Sequence, residues 1–421
     1  MDQSMFSNAL GERFGKGCMK ILLINKYYYV KGGADRHVLL LQELLERNGH
    51  EVMIFSMDDP RNEPSRYAQY FVSNVDFEHV RGGMAGLRAA GRMVYSWEAR
   101  RNLARLIADT KPDIAHIHNI YHQISPSILP LLRKNGIPIV QTLHDYKLIC
   151  PNYSLFTKGD ICERCKSHKY YNAITHRCLK DSVPASTLAA VEMSLHKLLG
   201  LYERNVNIFI SPSAFLMNTI RNWGFTNLDI RQLPYFIDAA GTVNTAVGTY
   251  LLYFGRLSRE KGVDTLLEAM NEIATPLKIV GTGPQETELK EFARKRHVAN
   301  VEFLGFKSGN ELRELVRNAM GVVVPSRWHE NYPFVILEAF AAGKAVIGTR
   351  RGGIPELVKH GERGLLCNAG SPEALRNTIR EFTASPARIQ RWAENARAFI
   401  QTHRSELLYP KLMEIYADAQ A

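Results

Sequence analysis

The chain is poor in cysteine. Six cysteines in 421 residues are too few for a disulfide scaffold, which small secreted domains need and a chain of this size does not. Long apolar runs are missing as well. No segment approaches the roughly 18 uncharged apolar residues of a membrane span, which excludes a transmembrane helix. Residues 1–18 lack the apolar centre of a secretory signal. These absences predict a cytoplasmic protein. There is no internal repeat and no low-complexity tract, which excludes solenoids and fibres. No Asp-x-Asp pair occurs anywhere, so one common carboxylate grip on a divalent cation is absent.

What is present is length and positive charge. The length predicts two domains. Lys and Arg total 53 against 42 acids, a net charge of +11, with a pI near 9.3. That balance favours anionic partners without choosing among them. Residues 1–18 read as an extension, and Met19 opens a clean strand that is a candidate start. From there short apolar runs alternate with amphipathic helical patterns. Ile21–Asn25, Val52–Phe55, Asp113–His116, Ile137–Thr142 and Ile208–Ser211 read as strands. Residues 237–249 are small and polar and read as a linker. Beyond it the alternation restarts with Tyr250–Phe254, Leu277–Val280, Val301–Leu304, Gly321–Val324 and Ala345–Gly348. This pattern predicts two doubly wound, Rossmann-like α/β domains facing a cleft, at 19–236 and 250–403. Residues 404–421 are expected to form a helix packing back on the first. Ligands of such sheets bind beyond the carboxyl ends of the strands.

The candidate chemistry falls at those ends. Glu330 lies in the loop after Gly321–Val324, and Glu338 lies inside the following helix, with Pro333 expected in its first turn. Between the two carboxylates the free N–H groups of Phe334 and Val335 make an anion site. This spacing suits a sugar diphosphate; two solvated glutamates flanking a core helix are the competing reading. Arg256 and Lys261 follow another strand and can neutralise a departing diphosphate without a metal. Gly281 and Gly283 follow the next strand and allow close backbone approach, and Gly33 does so after the first strand. His144 closes the Ile137–Thr142 strand, where it either contacts a ligand or is a structural histidine capped by Asp145.

In this order the motifs resemble family 4 glycosyltransferases of the GT-B fold. The resemblance rests on Lys31-Gly-Gly33, His144-Asp145, Gly255-Arg256 through Lys261-Gly262, Gly281-x-Gly283, Gly305-Phe306, Glu330-x7-Glu338, Ala342-Gly343, and Gly352-Gly353-Ile-Pro-Glu356. It covers nearly the whole chain from Met19. It implies a retaining, metal-independent hexosyl transfer from a nucleotide-sugar donor to a glycan or lipid-linked acceptor in cell-surface polysaccharide synthesis, with no catalytic cofactor. Arg256 and Lys261 would hold the diphosphate and Gly33 would lie beside it. Glu338 would bind the ribose hydroxyls, Glu330 the donor sugar, and His144 an outer sugar hydroxyl. The backbone at Phe306 would border the base.

Two features fall outside that set. Cys150, Cys162, Cys165 and Cys178 lie in a polar insertion, residues 150–178, with one Cys-x2-Cys pair, a spacing that suits a structural zinc as well as free thiols or an iron–sulfur cluster. Arg81, Arg88, Arg92, Arg100, Arg101 and Arg105 alternate with Met84, Leu87, Met93, Val94 and Trp97. This stretch reads either as a solvated helix or as a face for an anionic membrane surface, at the inner side of the cell membrane. The competing functions are a sugar-nucleotide epimerase or phosphorylase on the same scaffold, and a basic zinc-containing nucleic-acid binder. The last leaves the Glu330/Glu338 and Arg256/Lys261 sets unused, so no nucleic acid is expected.

Overall fold

The computed structural model describes residues 18–75, 90–238 and 246–421. The extension up to residue 17, residues 76–89 and linker residues 239–245 lie outside the described residues.

Apolar runs of four or five residues form the centre of each half. In the first half the strands are β1 (Lys20–Ile24), β2 (Glu51–Phe55), β3 (Ile114–Ile117), β4 (Ile139–Thr142), the two-residue strands β5 (Phe156–Thr157) and β6 (Asp160–Ile161), β7 (Ile208–Ser211) and β8 (Ile230–Gln232). The second half contains β9 (Leu251–Phe254), β10 (Leu277–Val280), β11 (Val301–Gly305), β12 (Gly321–Val324), β13 (Val346–Thr349) and β14 (Gly364–Cys367). Two six-stranded sheets result, ordered β2-β1-β3-β4-β7-β8 and β11-β10-β9-β12-β13-β14, while β5 and β6 form a separate hairpin. Pairing within each large sheet is parallel. Strands such as Val322–Val324 are buried on both faces, as a parallel sheet covered by helices requires.

The helices that flank these sheets include α1 (Gly33–Arg47), α2 (Trp97–Thr110), α3 (Val183–Leu198), α4 (Ala214–Asn222), α5 (Val263–Met270), α6 (Phe334–Ala341), α7 (Ile354–Val358) and α8 (Ser405–Gln420). Helix α1 buries Val38, Leu41, Leu44 and Leu45, a stripe at helical spacing. Helix α8 returns to the first half. Its Leu408, Leu412 and Tyr416 join that half's core, and the Tyr416 hydroxyl lies 2.7 Å from His116 Nδ1.

The halves are tied by polar contacts around the end of β12. Glu356, in α7, accepts the backbone N–H groups of Ala214 and Phe215 at 3.0 and 2.6 Å. A carboxylate of the second half thereby caps α4 of the first, where free N–H groups and the helix dipole favour an anion. Asn331 donates to the Leu143 carbonyl at 3.0 Å and accepts from Ser213 Oγ at 2.7 Å. The Tyr146 hydroxyl donates to the His329 carbonyl at 3.1 Å. Gly352 is required here: its φ is +58°, and a Cβ would stand 1.9 Å from the Glu330 carbonyl oxygen.

One local expectation is corrected. Pro333 is the N-cap of α6, at φ −71° and ψ 119°, and the helix begins at Phe334. The extended ψ places Pro333 outside the helix, while its carbonyl receives the Ile336 N–H at 3.0 Å.

Candidate active site

The strands β9 and β12 are adjacent and parallel, so the loops that leave them lie side by side. The loop after β12 carries Glu330, 6% exposed. Its Oε1 accepts from Lys261 Nζ at 2.7 Å and from Ser326 Oγ at 2.6 Å. Burial by itself would raise the Glu330 pKa. The Lys261 charge and hydrogen bond, together with Ser326 and Trp328, outweigh it and hold the carboxyl below its ordinary value. Lys261 Nζ also stands 5.1 Å from the Trp328 ring centroid. The sequence separates Glu330 from Lys261; the sheet joins them as an ion pair whose carboxylate is the buried partner.

The N-terminus of α6 follows this loop. No side chain caps it, which leaves the N–H groups of its first turn, including those of Phe334 and Val335, available to an anion. The Phe334 ring is buried against the first half. It stacks on Tyr235 at 5.0 Å, and a Cβ on Gly33 would approach its ring carbon to 3.1 Å. One turn into α6, Glu338 receives the guanidinium of Arg36 from α1 across the cleft. Arg36 is a residue that reading along the chain missed. The available signal was its position three residues after Gly33.

Arg256 is exposed in the loop after β9, with no side-chain hydrogen bond among the described residues. Gly281 and Gly283 have a packing reason of their own. A Cβ on Gly281 would meet the Gly255 carbonyl oxygen at 1.9 Å, and one on Gly283 the Leu257 carbonyl oxygen at 2.3 Å. These glycines seat the β10 loop against the Arg256 loop. Phe306 is 70% exposed beyond β11.

His144 is drawn inward. Its Nε2 lies 2.9 Å from His118 Nδ1 and its Nδ1 lies 2.5 Å from the Tyr235 hydroxyl. Burial, then the neighbouring His37 and His116, push its pKa well below the ordinary value, so the ring is neutral. Both ring nitrogens are therefore engaged within the first half. Asp145 does not cap it: that carboxylate accepts from Tyr121 and from the Lys147 N–H. The rings of His116, His118, His144, Tyr235 and Phe334 form a continuous stack from β3 to α6.

The cysteines of the insertion are free. Cys150 Sγ donates to Asn152 Oδ1 at 2.8 Å, and Arg164 donates to Cys162 Sγ at 3.4 Å. Burial pushes the Cys150 pKa up to about 11. At Cys165 burial, reinforced by Cys150, Cys162 and Cys178, pushes it up to about 12. Cys165 thus feels the other three thiols electrostatically, yet among the described residues no three His, Cys, Asp or Glu side chains are arranged to hold a metal ion. In the basic stretch, Arg81, Arg88, Met84 and Leu87 lie outside the described residues. Arg92 pairs with Glu98 at 3.0 Å and Arg100 donates to the Ser127 carbonyl at 2.7 Å, so both serve internal contacts. Trp97 is 76% exposed at the start of α2, and Arg101 is also exposed. No helix among the described residues is long and apolar enough to cross a membrane.

Comparison with known proteins agrees with this architecture. The pattern of the family described as Glycosyltransferase Family 4 matches residues 31–240, and that of Glycosyl transferases group 1 matches residues 246–399. The chain is 28% identical over 402 residues to a glycogen synthase of Mycobacterium tuberculosis, covering 90% of this chain and 89% of the relative. Among solved structures it resembles a sucrose-phosphate synthase of Thermosynechococcus elongatus, with TM-score 0.73, 19% identity, and coverage of 94% of this chain and 98% of the other. It also resembles HepE of Anabaena, solved in complex with UDP and glucose, with TM-score 0.63, 19% identity, and coverage of 94% and 99%.

Proposed function

Because this chain belongs to glycosyltransferase family 4 and has the GT-B fold, we propose that it transfers a hexose-type sugar, with retention of configuration, from a nucleoside-diphosphate sugar to a glycan or lipid-linked acceptor in cell-surface polysaccharide synthesis. The observation that carries this reading is the buried, ionised Glu330 held by Lys261 beside the uncapped end of α6. A fixed carboxylate, a fixed cation and a helix N-terminus suit a reaction in which a sugar gains positive charge as a diphosphate departs with negative charge. Glu330 then contacts the donor sugar. Lys261, the exposed Arg256 and the first-turn N–H groups of α6 receive the diphosphate, and Glu338 takes the ribose hydroxyls. The HepE structure with UDP and glucose supports a nucleotide-sugar donor.

Retention follows if the acceptor hydroxyl attacks the face that the leaving group vacates. The leaving phosphate then takes the acceptor's proton. His144, with both nitrogens bonded, fits this scheme as a positioning group that holds Tyr235 against Phe334. Its expected contact with the sugar would need one of those bonds to open. Side-chain cations do the electrostatic work here that a carboxylate-held divalent metal does in other transferases.

A thermal-shift screen with UDP, GDP and ADP tests the donor assignment, since a ligand that binds the folded protein raises its stability by linkage. One diphosphate should stabilise the protein and its nucleoside should do so much less; no stabilisation by any of the three contradicts the reading. A bilayer-bound acceptor would engage Trp97 and Arg101. Binding to anionic vesicles that falls with salt supports this, and indifference to vesicles at low salt opposes it. A structural zinc in the insertion is a separate proposal, resting on the four thiols. It requires those side chains to turn toward a common centre.

A further inference from the structure

Arg36 is an unusual occupant of the donor cleft because it comes from the opposite half. It lies in the first turn of α1, and its Nη1 donates to Glu338 Oε1. The two side chains are 36% and 20% exposed, so the pair sits at the open edge of the cleft. The guanidinium also lies 5.5 Å from the Phe334 ring centroid. Gly33 presses on the same ring from the start of α1. The first turns of α1 and α6 therefore meet; their N-caps, Gly32 and Pro333, offer no side chain, and in α1 the first-turn carboxylate of Asp35 turns back to the Gly32 N–H. The uncapped N-terminus of α6 and the Arg36 guanidinium form a positive cluster, and Glu338 is the carboxylate that pairs with that guanidinium.

We propose that Arg36 is an exchangeable phosphate-binding cation: it holds Glu338 while the cleft is empty, yields that carboxylate to the ribose, and turns onto the diphosphate. This rests on the donor-site reading above, in which Glu338 takes the ribose hydroxyls. The exchange follows from charge. A guanidinium displaced from Glu338 needs another anion, and neighbouring Asp35 is turned into the first half, where it accepts from Asn25 at 2.9 Å. The diphosphate, arriving at the uncapped N-terminus of α6, supplies that anion in the two-pronged form a guanidinium matches best. A nucleoside without phosphates breaks the Arg36–Glu338 pair and returns nothing to Arg36. The device therefore discriminates diphosphate from nucleoside through a residue of the first half, and it links the halves through the ligand.

The test is calorimetric, with wild type, Arg36→Ala, Arg36→Gln and Lys261→Ala each titrated with UDP, GDP, ADP and the matching nucleosides. For the diphosphate that binds the wild type, Arg36→Ala and Arg36→Gln should weaken binding by roughly 10-fold or more, the size of one charge-assisted contact. The same variants should bind the nucleoside as tightly as wild type or more tightly. Equal factors for diphosphate and nucleoside, or tighter diphosphate binding, overturn the proposal. If Lys261→Ala shows the expected diphosphate-selective loss and the Arg36 variants do not, only the role of Arg36 fails. If no diphosphate binds the wild type, the donor-site reading fails and this proposal with it.

Discussion

Lys261 Nζ stands 2.7 Å from Glu330 Oε1, so the cation assigned to the leaving diphosphate already neutralises the carboxylate assigned to the sugar. The two roles are coupled. Approach of a diphosphate draws on the same ammonium that keeps Glu330 ionised in a buried setting.

Lys261→Ala and Arg256→Ala should both weaken nucleoside-diphosphate binding far more than nucleoside binding, but they should differ in stability. Arg256 is exposed and its loss should leave the melting temperature within a degree or two, as expected of a surface change. Lys261→Ala strands a buried carboxylate and should cost about 3 kcal/mol. Calorimetric titration and thermal denaturation check both. Equal losses for diphosphate and nucleoside would move these residues away from the phosphates.

Glu356 offers a test of how the halves are held. Its carboxylate caps α4 from across the cleft, so Glu356→Ala should destabilise the protein by about 1–2 kcal/mol, the value of a helix cap. Turnover should fall as well, because the same loop system carries Asn331 and Glu330. An unchanged melting temperature by calorimetry would show that the cap contributes nothing.

Lys344 provides a pH test. It is 2% exposed, its Nζ donates to the Ala246 carbonyl at 2.8 Å, and burial lowers its pKa from 10.5 to about 8. Between those values the unfolded chain holds a proton that the folded one has released, so this group makes stability rise with pH across that window. Below about pH 8 both states are protonated and the slope vanishes. Lys344→Met should lessen the rise, leaving the share of Lys26, whose pKa burial also lowers to about 8, and be at least as stable at neutral pH, as judged by denaturant titrations from pH 7 to pH 10. A wild-type slope that persists undiminished in the variant would contradict the account.

Metal removal separates catalysis from the insertion. Transfer should survive EDTA, because the cations proposed for the diphosphate are side chains; a loss restored by Mg²⁺ or Mn²⁺ would contradict this. Elemental analysis of the purified protein should find about one equivalent of zinc if the four thiols take a metal, and Cys162→Ser should lower it. Four freely titrating thiols with no metal would refute the zinc proposal.

Much of this arrangement was legible in the residue order. Strands β9 and β12 announce themselves as uninterrupted apolar runs, and Glu330 and Glu338 are marked by their spacing around a helix start. The edge strands β8 and β14 escaped, the first because Ile230–Gln232 has only three residues. Pairings between distant segments escaped for a different reason. Arg36 with Glu338, Glu356 with α4, and His144 with Tyr235 join residues separated by 91 to 302 positions, and local pattern carries no signal for them. The glycines of the β10 loop were noticed for their freedom, but only the fold reveals that the Arg256 loop occupies the space a side chain would need.

The central claim is that the Glu330 carboxylate acts on the donor sugar, and Glu330→Gln tests it most directly. The substitution keeps the shape of the side chain and its bond to Ser326 while removing the charge. Steady-state transfer by the variant, measured with the donor identified by screening, should fall on the order of 100-fold or more, as losses of a preorganised electrostatic contact do. Nucleoside-diphosphate affinity should not fall, since Lys261 is released toward the phosphates, and the variant should remain folded. Transfer near the wild-type rate, in a variant that binds the diphosphate normally, would contradict the account.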